Sequence, residues 1–119
     1  ASLGIDLNDM TMSTTGLYYQ DDPVGTGELA ATGDEVSLTY TGWLVDGTQF
    51  DSGGLDLITV GGPPALIAGF TEGIIGMQVG GTRKVVIPAA LAYGSQGAVS
   101  IPSNAVIVFE ITLTTLIKP

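Results

Sequence analysis

A chain of 119 residues has room for one domain and too little for two ordinary ones, and 45% hydrophobic against 13% charged residues supply apolar side chains for one core. It holds no cysteine and no histidine, which excludes disulfides, thiolate nucleophiles, zinc-finger ligand sets and any triad built on an imidazole base. Twelve acidic residues against three basic, a net charge of −9, argue against nucleic acid as a partner, and apolar runs such as Ala105 to Phe109 fall far short of the roughly 20 residues that cross a bilayer.

Taken in chain order, Ala1 to Thr15 shows no sustained period and reads as an arm, packed on the surface or mobile, ahead of a domain over residues 16–119. Gly16 to Tyr19 suggests a short strand, followed by turns at Asp21-Asp22-Pro23 and Gly25-Thr26-Gly27. From Val36 the pattern is of period two, with Val36, Leu38, Tyr40 and Leu44 on one face and Ser37, Thr39 and Thr41 on the other. Asp46-Gly47 then signals a hairpin. Thr48 to Phe50 and Leu55 to Val60 are two short extended segments separated by Ser52-Gly53-Gly54.

After Pro63-Pro64, the spacing of Leu66, Phe70, Ile74 and Met77 predicts the single helix. Gly69, Gly73 and Gly76 weaken it by about 1 kcal/mol each relative to alanine, so packing on a sheet must hold it. Gly80-Gly81 turns into a strand over Thr82 to Ile87, Ala89 to Tyr93 is a short irregular or helical turn, and Gly94 to Asn104 is a loop. The last strand runs from Ala105 to about Ile117, with Ile107, Phe109, Ile111 and Leu113 facing in and Glu110, Thr112 and Thr114 out. Strands around one helix imply an antiparallel sheet of α+β class.

The charge is uneven: residues 1–60 hold ten acids and no base, whereas residues 61–119 hold Glu72 and Glu110 against Arg83, Lys84 and Lys118. This reads as solubility or adaptation to salt before it reads as the footprint of a cationic partner. Ala1 to Met12 lacks the basic start and long apolar stretch of a signal peptide. A mature start at Ala1 and the absence of cysteine would suit an exported bacterial protein, periplasmic, extracellular or on the outer surface; the acidity would suit a salt-adapted cytoplasm.

Without His or Cys, the general bases left are carboxylates. Asp51, between Phe50 and Ser52-Gly53-Gly54, sits where a strand ends; it either turns its carboxylate into a concavity or makes a local turn hydrogen bond. Asp21-Asp22 lacks the rest of a calcium loop and reads as a solvated turn, and Gly80-Gly81 with Arg83-Lys84 reads as a hairpin turn. Tyr40 and Phe109 lie on apolar strand faces and Phe70 on the helix stripe, so the three can meet between sheet and helix, as core or as pocket.

The strings themselves carry a resemblance. Tyr40-Thr41-Gly42-Trp43-Leu44-Val45-Asp46-Gly47-Thr48-Gln49-Phe50-Asp51-Ser52 resembles the first signature of the FKBP-type peptidyl-prolyl cis-trans isomerases, the macrolide-binding family. Gly69 to Met77 is similar to the family's helix and its exit, Ile87 to Gly94 to its next signature, and Ile101-Pro102 with Val106 to Glu110 to its closing strand. The four stretches occur in order, and the match runs over about residues 16–118.

The resemblance implies a bent antiparallel sheet of five or six strands round one short helix, with an apolar pocket between them. It implies a pocket walled by Tyr40, Phe50, Asp51, Leu66, Ile67, Tyr93, Ile101 and Phe109 over a floor at Phe70, where the family commonly has Trp. The Ile67 position would offer its backbone N–H, and Tyr93 its hydroxyl, to ligand carbonyls. Leu57 or Ile58 faces the pocket, and Leu57 is assigned to substrate contact with Leu66 and Ile101. The implied activity is rotation of X-Pro bonds in flexible or unfolded proteins by a monomer that needs no metal or cofactor, with macrolides of the rapamycin type as further ligands. The rivals are a non-catalytic binding or chaperone module on the same pocket, and a bare structural β-domain.

Overall fold

The computed structural model describes residues 10–13, 15–21, 24–44, 47–62, 67–97 and 101–118. Its strands are β1 Thr11–Met12, β2 Tyr18–Asp21, β3 Thr26–Leu29, β4 Glu35–Leu44, β5 Gln49–Thr59, β6 Gln78–Val79, β7 Thr82–Ile87 and β8 Ile107–Ile117, with one α-helix, α1, over Ala68–Ile74. Six strands form an antiparallel sheet in the order β1-β2-β7-β8-β4-β5, and β3 pairs with β6 in a separate ribbon. The α+β class, the six-stranded sheet and the single α-helix agree with expectation.

The long strands form because alternate residues are apolar. In β7, Arg83, Val85 and Ile87 are buried while their neighbours are half-buried, and in β8 the inward row is Ile107, Phe109, Ile111 and Leu113. With Val36 and Leu38 of β4 they meet Phe70 and Ile74 of α1 and Met77 in one core. The glycines of α1 are points of contact as well as weaknesses. A Cβ at Gly69 would collide with Ile87, and one at Gly73 would come within 3.1 Å of Val85. Their absence of side chain lets the helix lie close on β7.

Several elements differ from the sequence reading. Thr11–Met12, in the stretch read as an arm, pairs with Tyr18 and Tyr19 as an edge strand. Thr26–Leu29, read as part of a turn, is a strand. The two segments of residues 48–60 are one strand, because Ser52, Gly53 and Gly54 pair with Thr41, Tyr40 and Thr39. The helix is shorter than its apolar stripe, which Met77 continues beyond the last helical turn; Pro63, Pro64 and Leu66 lie outside the described residues.

The reading of Asp21 as a solvated turn is also corrected, whereas Arg83 lies, as read, on the strand that leaves the Gly80-Gly81 turn. Arg83 is 5% exposed, and its Nε and Nη2 donate to the two carboxylate oxygens of Asp21 at 2.6 and 3.0 Å. Its Nη1 donates to the carbonyls of Gly73 and Ile75 at 3.1 and 2.9 Å, and its guanidinium lies 4.7 Å from the Tyr19 ring centre. An arginine of the sheet therefore caps the end of α1, which has no basic residue in its last turn.

Candidate active site

Tyr40 of β4, Phe70 of α1 and Phe109 of β8 converge, as their apolar faces require. The Phe70 and Phe109 ring centres are 5.0 Å apart at 84°, Tyr40 and Phe70 are 5.5 Å apart at 86°, and Tyr40 and Phe109 5.9 Å at 68°. These are edge-to-face arrangements, in which the positive edge of one ring meets the negative face of another. Phe50 extends the cluster, 5.6 Å from Phe109 at 78°. The rings leave an open cavity of about 290 Å³, lined by Tyr40, Asp51, Leu55, Ile67, Phe70, Tyr93 and Phe109.

Six of the residues singled out from the sequence thus share one cavity. Phe50 is half-buried behind the wall, against Phe109, and Ile101 is buried in the core; neither lines the cavity. Leu66 lies outside the described residues. Leu57 is not in the lining: it is 45% exposed, and Leu55 stands in the wall. The cause is a bulge. Val36 pairs with Ile58 and Leu38 with Leu55, so Asp56 and Leu57 together oppose Ser37. The Ser37 hydroxyl fills the gap, accepting the Leu57 N–H at 3.0 Å and donating to Asp56 at 2.7 Å, while Leu57 adopts φ +49°. An unbroken strand would put residues 55 and 57 on one face. The extra residue turns Leu57 out and lets Leu55 and Ile58 both point inward.

Gly42 is a second residue the sequence reading passed over. A Cβ there would lie 2.7 Å from atoms of both Phe50 and Phe109, so only glycine admits the two rings side by side. Glycine inside an otherwise regular strand pattern is the signal that points to such a close approach.

The polar groups are few. Asp51 is exposed, and its carboxylate does both things allowed by its position: it accepts the Ser52 N–H at 2.9 Å, a local turn bond, and the Tyr40 hydroxyl at 3.2 Å, at the cavity. Burial, and next the Asp51 charge, push the Tyr40 phenol above its ordinary range, so it stays protonated as a donor. Tyr93 follows a 3-10 turn over Ala89–Leu91 and is fixed by the Gly94 N–H on Ala89 and the Gly97 N–H on its own carbonyl. Its hydroxyl has no hydrogen-bond partner among the described residues. Ile67 precedes the first turn of α1, where its carbonyl accepts from Phe70 and Thr71; no described residue accepts its N–H. Among the described residues no three His, Cys, Asp or Glu side chains cluster as metal ligands would, and no helix is long and apolar enough to cross a membrane.

A family model described as FKBP-type peptidyl-prolyl cis-trans isomerase matches residues 26–114. The FKBP-type peptidyl-prolyl cis-trans isomerase FkpA of Aeromonas hydrophila is 44% identical over 110 residues, which are 88% of this chain and 40% of that protein. The FK506-binding protein of Neisseria meningitidis serogroup B is 43% identical over 103 residues, 82% of this chain and 94% of that protein. Among solved structures, the crystal structure of FkpA from Escherichia coli superposes with a TM-score of 0.82 at 37% identity, covering 92% of this chain and 52% of that one. The chain thus spans less than half the length of the Aeromonas relative and nearly all of the Neisseria one.

Proposed function

The chain belongs to the FKBP-type peptidyl-prolyl cis-trans isomerase family, and on that premise we propose that it accelerates rotation about X-Pro bonds in flexible or unfolded polypeptides. The observation that carries this reading is the apolar cavity itself, walled by three rings edge to face and bordered by a few polar groups. A proline ring fills such a space, and the chemistry asks for no nucleophile. The barrier of roughly 18 to 20 kcal/mol is the resonance of the amide, and no bond breaks in crossing it.

The rotating amide loses its charge separation as it twists, so a dry aromatic wall disfavours the planar form more than the twisted one. Phe70 forms the floor beneath the ring, with Tyr40 and Phe109 at its sides and Leu55 and Ile67 completing the wall. The Ile67 N–H and the Tyr93 hydroxyl hold carbonyls flanking the bond, since neither donor has an acceptor among the described residues. Asp51 keeps the Tyr40 phenol in place. A 1000-fold acceleration requires only about 4 kcal/mol of preference for the twisted geometry, within reach of burial and two hydrogen bonds. Rapamycin-type macrolides, which present carbonyls around an apolar ring, are competitors for the same space.

The test is a proline-limited peptide or refolding assay at micromolar protein, with a rapamycin-type macrolide as competitor. Acceleration that the macrolide abolishes is the expected result. Peptide binding without acceleration would select a non-catalytic docking module, and neither binding nor acceleration would leave a structural domain.

A further inference from the structure

β5 is the outermost strand of the six-stranded sheet, and among the described residues nothing pairs with its outer edge. Ser52, Gly53 and Gly54 in its middle are exposed. Such an edge is an open row of backbone donors and acceptors, and folded proteins usually blunt it. Here one outward donor is blunted and the next is open. The Ser52 N–H is held by the Asp51 carboxylate at 2.9 Å, which marks it as turned away from β4. The alternation of an antiparallel ladder then puts the backbone groups of Gly54 on the same outer side, with no side chain to shield them. The bulge at Asp56 and Leu57 ends this open stretch.

The edge is continuous with the cavity, because Asp51 and Leu55, on either side of the open stretch, both line it. It is also of one sign. Glu35, Asp51 and Asp56 are the only charged residues of β4 and β5, and residues 1–60 contain no base. We propose that the preferred substrate is an extended, basic segment whose residues beside the proline pair with the outer edge of β5 at Ser52–Gly54 while the proline enters the cavity. This rests on the isomerase reading above and names the substrate class within it. Main-chain hydrogen bonds to the edge supply affinity that any extended sequence can use, and Lys or Arg beside Asp51 and Asp56 supplies preference.

The test compares a short X-Pro peptide of about four residues with an extended one of about ten carrying lysines on both flanks. The longer peptide gains roughly three- to tenfold in kcat/KM, as one or two added hydrogen bonds allow. The gain is lost when its flanking backbone amides are N-methylated and shrinks when its lysines become glutamates. In Gly54→Pro, which removes that N–H at an edge where proline is tolerated, the ratio of long to short falls towards one. Equal rates for the two peptides, or a gain that survives N-methylation, overturn the proposal while leaving the isomerase intact. Acceleration of neither peptide removes the isomerase reading and this proposal with it.

Discussion

At the scale of single residues, the cavity separates side chains that build it from side chains that act in it. Phe50 and Gly42 belong to the first kind: one ring supports Phe109, and the absence of a Cβ makes room for both. On the proposed reading Tyr93 belongs to the second, since it lines the cavity and its hydroxyl serves no described partner. Tyr93→Phe is therefore expected to lower kcat/KM by roughly three- to tenfold, the worth of one hydrogen bond, with no change in Tm; a fall in Tm of several degrees would reassign the hydroxyl to the fold. Tyr40 is held neutral by burial and by Asp51. Because its pKa is raised, its contribution is complete below the ordinary value of 10.0 and is lost only as pH rises through the higher folded value. The activity profile is expected to show no Tyr40 limb between about pH 6 and about pH 9, and Tyr40→Phe should remove only a strongly alkaline limb.

At the scale of elements, two devices correct what periodicity alone would build. The bulge on β5 decides which aliphatic residues reach the cavity, and it is organised by Ser37, whose hydroxyl bonds both bulged residues while its carbonyl accepts from Thr114 of β8. The second device is Arg83. A seven-residue helix with three glycines in or beside it and no side-chain N-cap has little stability of its own. It is kept by packing on β7 and by the guanidinium on its last carbonyls. Arg83→Met leaves the carbonyls of Gly73 and Ile75 without that donor and Asp21 without its cation, and is expected to cost about 2 to 4 kcal/mol. Denaturant midpoints measure this directly. Asp21→Asn should cost less, because Asp21 retains access to water at 27% exposure.

At the scale of the whole molecule, the end of β8 is tied to the connection between β3 and β4 by a second ion pair. Lys118, just past β8, donates to Asp34 at 2.6 Å and to the Leu29 carbonyl at 2.8 Å, and Asp34 also accepts the Ala31 N–H. The Lys118 hydrogen bond holds the Asp34 carboxyl below its ordinary value of 3.8, against the opposing effect of burial. A depressed folded pKa gives stability that is present above the unfolded value and lost as pH falls through the folded one. Tm is thus expected to drop on acidification below about pH 4, and Asp34→Asn, less stable at neutral pH, should lose less on the way down. Parallel acid limbs for the two proteins would refute the assignment. The strand alternation of β4, β7 and β8, the one helix, the ordered motifs and the family they imply were all determined by the chain's own pattern, because each depends on neighbours within a few residues. What needed the tertiary structure was every feature set by residues far apart: Leu55 in place of Leu57, the glycine at position 42 that admits two rings, the burial of Arg83 on Asp21 and the open edge of β5. Local pattern records which face a side chain prefers; the register between strands, which no single strand encodes, decides what it meets there.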